Sequence, residues 1–460
     1  MKYSLVRLLE RLSLSKNSRL TMFAVLSVAA SITLAMGSDR KDSHNRPGSH
    51  PGPTPAVPGD VIATSTSAPQ EAQTAFDGAP NGMVDALVHQ ADKMVFEEQE
   101  TIEEGLGPLY NGTSCAECHG SPVTGGISQV TELRAGFVNR FGAFTNPDIT
   151  IGSGSYVVKS RSLVNDRAVC PSADFATSEV QERVPDRANV IALRSSLNVL
   201  GDGYVEAIAD TTLRQIAAKQ CRSSNGICGE AITVPLSEAP GQVRVARFGW
   251  KNQHASLLSF SADAYLNEMG VTSSLQPKDI ATICKTSTDP EDHVEDDGLA
   301  DIDRFARFMR ATKAPARDET LANTVDAQLG AEVFDRIGCD NCHVSSITTA
   351  PAGSVVNGGT FVVPDALGNK VIHPYSDFLL HNVGTGDGIV QNAGPETAQK
   401  MRTPPLWGVR LRSRLMHDAA SMTFQDAISR HAGEAYGVIR NYRNLTDQDR
   451  GRLIAFLKSL

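Results

Sequence analysis

The chain has 460 residues, 43 Lys and Arg against 52 Asp and Glu, and a formal net charge of −9. That length supports two or three ordinary domains with sizeable cores. The acidic balance argues against nucleic acid as a partner and leaves no basic patch for a membrane surface.

Lys2, Arg7, Arg11, Lys16 and Arg19 precede an apolar run from Leu20 to Met36, and Ala35 and Gly37 then offer an A-x-G cleavage site. Residues 1–37 therefore read as a signal peptide or, because the run nearly spans a bilayer, as an uncleaved N-terminal anchor. Either reading takes the rest of the chain out of the cytoplasm and permits disulfides. Residues 38–82 are rich in Ser, Pro, Thr, Ala and Gly and poor in large apolar residues, the composition of a flexible linker.

Packing is expected from Met83, where Val84, Leu87, Val88 and Ala91 recur at helical spacing. Gly105-Leu-Gly-Pro108 breaks that helix and leads into Cys115-Ala-Glu-Cys-His119, a C-x-x-C-H. From Gly120 to Ser273 the chain is mostly loop, with short strands expected at Val157-Val158 and Ile232-Thr233-Val234. Ser256 to Met269 reads as a helix that turns Leu257, Phe260, Ala264 and Met269 to a core. Asp301 to Arg310 is an amphipathic helix burying Ile302, Phe305, Phe308 and Met309, and Ala314-Pro315-Ala316 stops it. A further helix carrying Leu329, Val333, Phe334 and Ile337 enters a second C-x-x-C-H, Cys339-Asp-Asn-Cys-His343. The last helix opens at Thr446 with Asp449 three residues on, and buries Leu453, Ile454, Phe456 and Leu457. Entry helix, motif, long loops and closing helix thus occur twice. This repetition divides the chain into residues 83–316 and 317–460 and predicts a mainly α fold with long loops and a few short strands.

C-x-x-C-H is the spacing at which two thiols bond a haem and the next histidine ligates its iron. A single copy would be compatible with half of a zinc site or a redox dithiol. Two copies in an exported chain, with no further Cys or His pairs at finger-like spacing, favour two covalently bound haem c groups. Cys115, Cys118, Cys339 and Cys342 are then the attachment points, and His119 and His343 the iron ligands. Of the remaining cysteines, Cys221 and Cys228 flank a polar glycine-containing loop and are the favoured pair, which leaves Cys170 with Cys284.

Four stretches carry a resemblance over roughly residues 83–460: Gly105-Leu-Gly-Pro-Leu-Tyr-Asn-Gly-Thr-Ser-Cys115, Arg247-Phe-Gly-Trp-Lys251, Ile372-His-Pro-Tyr-Ser-Asp377 and Arg402-Thr-Pro-Pro-Leu-Trp-Gly408. The chain resembles the di-haem oxidoreductases, relatives of the bacterial di-haem cytochrome c peroxidases. The resemblance implies two cytochrome c-like helical domains with one haem each. It implies reduction of hydrogen peroxide or a similar small oxidant at the N-terminal haem. A small electron-donor cytochrome or cupredoxin would feed electrons through the C-terminal haem, in the periplasm. The alternative is a di-haem electron-transfer cytochrome with no substrate of its own.

Residue by residue, the peroxidase pattern carries the sixth-ligand position of the C-terminal haem to His431, fourteen residues after His417, with Met416 as rival. It carries the inter-haem tryptophan to Trp250 and the acid–base glutamate to Glu268. It departs at Phe260, where the peroxidases have glutamine, and at Ala135, where many have a histidine that plugs the first haem. His254 is the next histidine after His119. The inter-domain calcium of the peroxidases is left open, because Arg412 and Arg414 stand where its carbonyl ligands are expected. His373 and His381 are read as polar loop residues, and Trp407 as packing on haem.

Overall fold

The computed structural model describes residues 59–460 apart from 152–155, 171–176, 224–225, 282 and 286. The expected export segment and the first part of the expected linker lie outside the described residues. The described part of that linker, 59–82, differs from a free tether. The Val61 amide donates to the Val355 carbonyl at 2.8 Å. Gln70–Glu71 pairs in parallel with Lys370–Ile372. Asn81 Nδ2 donates to the carbonyls of Arg310 and Thr312 at 2.9 and 3.0 Å. Backbone pairing holds this strap, so its low content of large apolar side chains gave no sign of it.

Helix α1 (Ala86–Glu97) starts at Asp85, whose carboxylate accepts from the Leu87 and Val88 amides. Its buried side is His89, Asp92 and Phe96, while Leu87 is 84% exposed. The expected face is therefore not the one that packs. Asp92 receives Arg307 Nε and Nη2 at 2.7 and 2.6 Å, and the His89 ring stacks on Phe308 at 5.2 Å. A paired carboxylate and a stacked imidazole take core positions that periodicity assigns to apolar residues.

Strands β1 (Thr131–Val138) and β2 (Val190–Ser195) pair antiparallel from Thr131↔Ser195 to Gly136↔Val190, and β1 also pairs with Leu163–Val164 and Phe144–Thr145. Along β1 the period of two puts Glu132 and Arg134 on one face and Leu133 and Ala135 on the other. Ala135 joins Ile149, Ile151 and Val158 in a small core of its own.

Helix α2 (Leu257–Ala264) is capped by Ser256 and runs into a π-helical turn, Tyr265–Met269. Gly270 ends it at φ 76°, and a Cβ there would sit 2.8 Å from the Gly107 and Leu109 carbonyl oxygens, so the position demands glycine. Helix α3 (Asp301–Ala311) packs Phe305 and Phe308 against Phe96 of α1 and Tyr265. Helix α4 (Val325–Ile337) is capped by Thr324 and ends at Gly338, φ 95°, directly before the second C-x-x-C-H. Helix α5 (Asp447–Leu457) opens at Thr446, whose hydroxyl accepts from the Asp449 amide, and it crosses α4 at Gly330. Phe334 of α4 meets Phe456 of α5 edge-on at 5.2 Å.

The helices expected from periodicity are present, but the fold is not mainly α: 32% is helix and 17% strand, spread over many small sheets. Between the motifs the chain uses period-two segments such as β1 where the sequence was read as loop. The two expected short strands form at Tyr156–Val158 and Thr233–Pro235. The favoured Cys221–Cys228 disulfide is present, and Cys170 pairs with the remaining Cys284. The larger core joins Phe96, Tyr265 and Phe305 to Ile347, Phe378 and Trp407. The second is built on α4 and α5. Residues 56–460 form one compact unit. Among the described residues no helix is long and apolar enough to cross a membrane.

Candidate functional site

The second C-x-x-C-H lies on the turn Cys339–Asn341 that follows α4. The His343 ring is fixed by Nδ1 donating to the Tyr375 carbonyl at 2.9 Å, which leaves Nε2 free. Beside it opens a cavity of about 200 Å³, lined by Cys339, Cys342, Trp407, Met416 and His431 among others. His431 is held in the same manner, with Nδ1 on the Ala427 carbonyl at 2.9 Å. Burial lowers the pKa of both rings, that of His343 to about 4, and His431 lies close enough to His343 to lower it further. Two neutral imidazoles with free Nε2 atoms therefore line one cavity, and the buried Trp407 Nε1 there has no hydrogen-bond partner among the described residues. This donor set and the apolar walls fit a haem.

The first C-x-x-C-H forms a helical turn, Cys115–Cys118, capped by Ser114. The half-buried His119 ring lies beside the Gly126 and Leu197 carbonyls, yet its buried Nδ1 completes no hydrogen bond to either. Burial brings its pKa down to about 4.

The π turn after α2 is zipped to the loop that enters this motif. The Asn111 amide donates to the Glu268 carbonyl at 2.6 Å, and the Gly107 amide to that of Met269 at 2.9 Å. The Glu268 carboxylate accepts from Asn111 Nδ2 at 2.6 Å, and its charge is felt at Cys118. Burial first, then the neighbouring Glu132 carboxylate, push the Glu268 pKa up to about 8. Glu132 is itself held by Arg134 Nε and Nη2 at 2.5 and 3.0 Å, and Arg134 also donates to Ser162 Oγ. His254 pairs with Asp263 at 3.1 Å and stacks on Phe260 at 5.2 Å. Ala135 faces the opposite side of β1 from Glu132 and Arg134, so the spacing that aligns it with a plug histidine does not bring it to this site.

Trp250 stands apart from Glu268. It lines the C-terminal cavity, meets His417 edge-on at 6.0 Å, and donates from Nε1 to the Ser195 carbonyl at 2.8 Å. Ser195 lies two residues before Leu197, whose carbonyl is beside His119. The short stretch from Ser195 to Leu197 at the end of β2 thus lies beside both Trp250 and His119.

The family model described as "Di-haem oxidoreductase, putative peroxidase" matches residues 144–460. The chain belongs to the di-haem oxidoreductase family. Its family match takes in the second C-x-x-C-H, and the first lies before it. Among solved structures, the di-haem peroxidase BthA of Burkholderia thailandensis is similar at 13% identity, covering 88% of this chain and 94% of that one, with a TM-score of 0.39. A MauG-like protein associated with microbial copper homeostasis is similar at 16% identity, over 86% and 94%, with a TM-score of 0.33. Hydrazine synthase of Kuenenia stuttgartiensis is similar at 13% identity, over 88% and 100%, with a TM-score of 0.37. No curated protein matches.

Membership of this family implies haem as the cofactor, and several residues at the two sites escaped the sequence reading. His381, read as a loop residue, is buried in the C-terminal cavity wall between Asp377 at 2.9 Å and Glu434 at 2.8 Å. Its only sequence signal is the i, i+4 spacing to Asp377. His373 does sit in an exposed loop, paired with Glu71 at 2.9 Å. Glu132 and Arg134 are signalled only by their alternation on a strand. Among the described residues the one grouping of His, Cys and acid side chains with metal-ligand spacing is Cys342, Asp377 and His381, which shares Cys342 with the haem motif.

Proposed function

We propose that this di-haem oxidoreductase is an exported, periplasmic enzyme that reduces hydrogen peroxide or a similar small oxidant beside the N-terminal motif, with electrons entering through the C-terminal motif from a small cytochrome or cupredoxin. Cys115 and Cys118 would hold one haem by thioethers and Cys339 and Cys342 the other, with His119 and His343 as the iron-ligating residues of the two motifs and His431 as a further ligand at the second. Haem supplies an iron position for O–O cleavage at the first site and one-electron storage at the second. Reduction of peroxide to two waters also needs two protons, and these are the business of the protein.

The observation that carries the reading is Glu268. It is fixed by Asn111, lies near Cys118, and has its pKa raised to about 8, first by burial and then by the neighbouring Glu132 carboxylate. Its carboxylate can take the proton from the near oxygen of peroxide and return it to the departing one. Trp250, tied to Ser195 two residues before the carbonyl beside His119, is the candidate electron relay between the two sites. Rapid mixing of the fully reduced protein with hydrogen peroxide tests the proposal: haem reoxidation should be about 100-fold slower in Glu268→Gln. Equal rates would refute it.

Phe260 favours a second reading. Packed between Phe248 and His254, it offers no hydrogen bond where the related peroxidases have a carboxamide. A pure electron carrier would keep two six-coordinate low-spin haems, whereas cyanide binding to the ferric protein marks an accessible iron.

A further inference from the structure

The cavity beside the second motif has an unusual charge balance. Its walls contain two arginines, Arg402 and Arg412, and no aspartate or glutamate. Arg402 is balanced from behind by the charges of Asp202 and Asp377. Arg412 is not balanced. Its Nη2 donates to the Ser196 carbonyl, and among the described residues no carboxylate pairs with it. Desolvation alone brings its pKa down to about 10, so it stays cationic at neutral pH. By contrast, the buried Arg194 has Asp387 at 2.7 Å and the buried Arg244 has Asp60 at 3.2 Å.

A guanidinium lining a mostly apolar cavity with no counter-charge in contact is unfavourable, so this one calls for an anion that the protein does not provide. The geometry limits where that anion can be. Arg412 lines the cavity that holds Cys339, Cys342 and His343, and its charge also reaches His119 of the first motif. A planar fork of N–H donors matches a carboxylate in two-pronged fashion. We infer that Arg412 is the carboxylate-binding residue between the two haem sites, pairing with a propionate of the haem at the second motif and raising that haem's reduction potential. The inference rests on haem occupying that cavity. A fixed cation beside a haem stabilises the reduced form, which carries one positive charge fewer, so losing Arg412 should lower the potential.

Spectroelectrochemical titration of the purified di-haem protein decides this. In Arg412→Gln the equilibrium constant for reducing the C-terminal haem should fall at least tenfold, 59 mV for one electron. Arg412→Lys keeps the charge and should recover most of that loss. An unchanged potential in Arg412→Gln, or an equal fall in both variants, overturns the assignment. Should Arg412→Gln fail to load haem, the wild type still answers. Its potential at constant ionic strength should ignore added chloride or phosphate, and a potential that follows either anion assigns Arg412 to a free anion and overturns the inference. A count of fewer than two haems per wild-type chain would instead undo the functional reading on which it rests.

Discussion

Glu268 holds its proton to about pH 8 because it is buried and because Glu132 is next to it. As a base it must be ionised, so the peroxide step should accelerate as pH rises towards 8 and level off above it. Glu132→Gln removes the neighbouring charge, lowers the Glu268 pKa and should move the rising limb to lower pH. Stopped-flow rates across pH 5–9 check both, and an unmoved limb in the variant would separate the two carboxylates. The same shift has a stability sign. The folded-state pKa lies above the ordinary carboxyl value of 4.5, so the native state favours the protonated form. This residue therefore costs nothing below about pH 4.5, and costs progressively more as pH rises through the window from 4.5 to 8. Glu268→Gln should gain stability relative to wild type across that window, as chemical unfolding at pH 5 and pH 8 would show.

Glu268 is reached only through the resemblance, after a two-residue gap in the ten-residue interval that begins at Trp250. Glu132 is not reached at all, since it sits far away in sequence and comes to this place by the pairing of β1. Local patterns show which residues share an element, and they are silent on which elements meet. His381 is the same case: its two carboxylates come from 377 and 434, and only the first is near it in the chain.

At the scale of elements, α4 and α5 were legible because their caps and apolar spacing agree. What the sequence did not reveal is how closely they cross. A Cβ on Gly330 would lie 2.0 Å from the Arg452 carbonyl oxygen. Gly330→Ala gains up to about 1 kcal/mol of helix propensity but forces the helices apart, a strain of roughly 1–3 kcal/mol. A net loss of thermal stability is expected, with disturbance of the second motif at the end of α4. Helix α1 gives the opposite lesson. Its existence was readable and its face was not, because Asp92 is buried on account of Arg307, a residue on α3.

For the whole molecule, the expectation of a mainly helical architecture failed where strands are short and pair at long range. Apart from β1 and β2, most of these strands are two or three residues long, too brief for a period-two signal to stand out from loop composition. Long-range closure also governs the two disulfides. Cys170–Cys284 spans 114 positions and Cys221–Cys228 spans 7. Chain entropy gives about 5 kcal/mol for the first and about 2.5 for the second. Replacing Cys170 and Cys284 by alanine should therefore destabilise the protein about twice as much as replacing Cys221 and Cys228, measured as unfolding free energies.

The strap at 59–82 extends this logic to biogenesis. A polypeptide made from its amino end emits these residues first, whereas Lys370–Ile372, with which Gln70–Glu71 aligns, emerges some 300 residues later. The clasp can close only when most of the sequence is available, and such distant pairing is intrinsically slow. Until it closes, the Val61 amide and Asn81 Nδ2 lack the carbonyls they meet in the finished fold, so the strap is expected to order late.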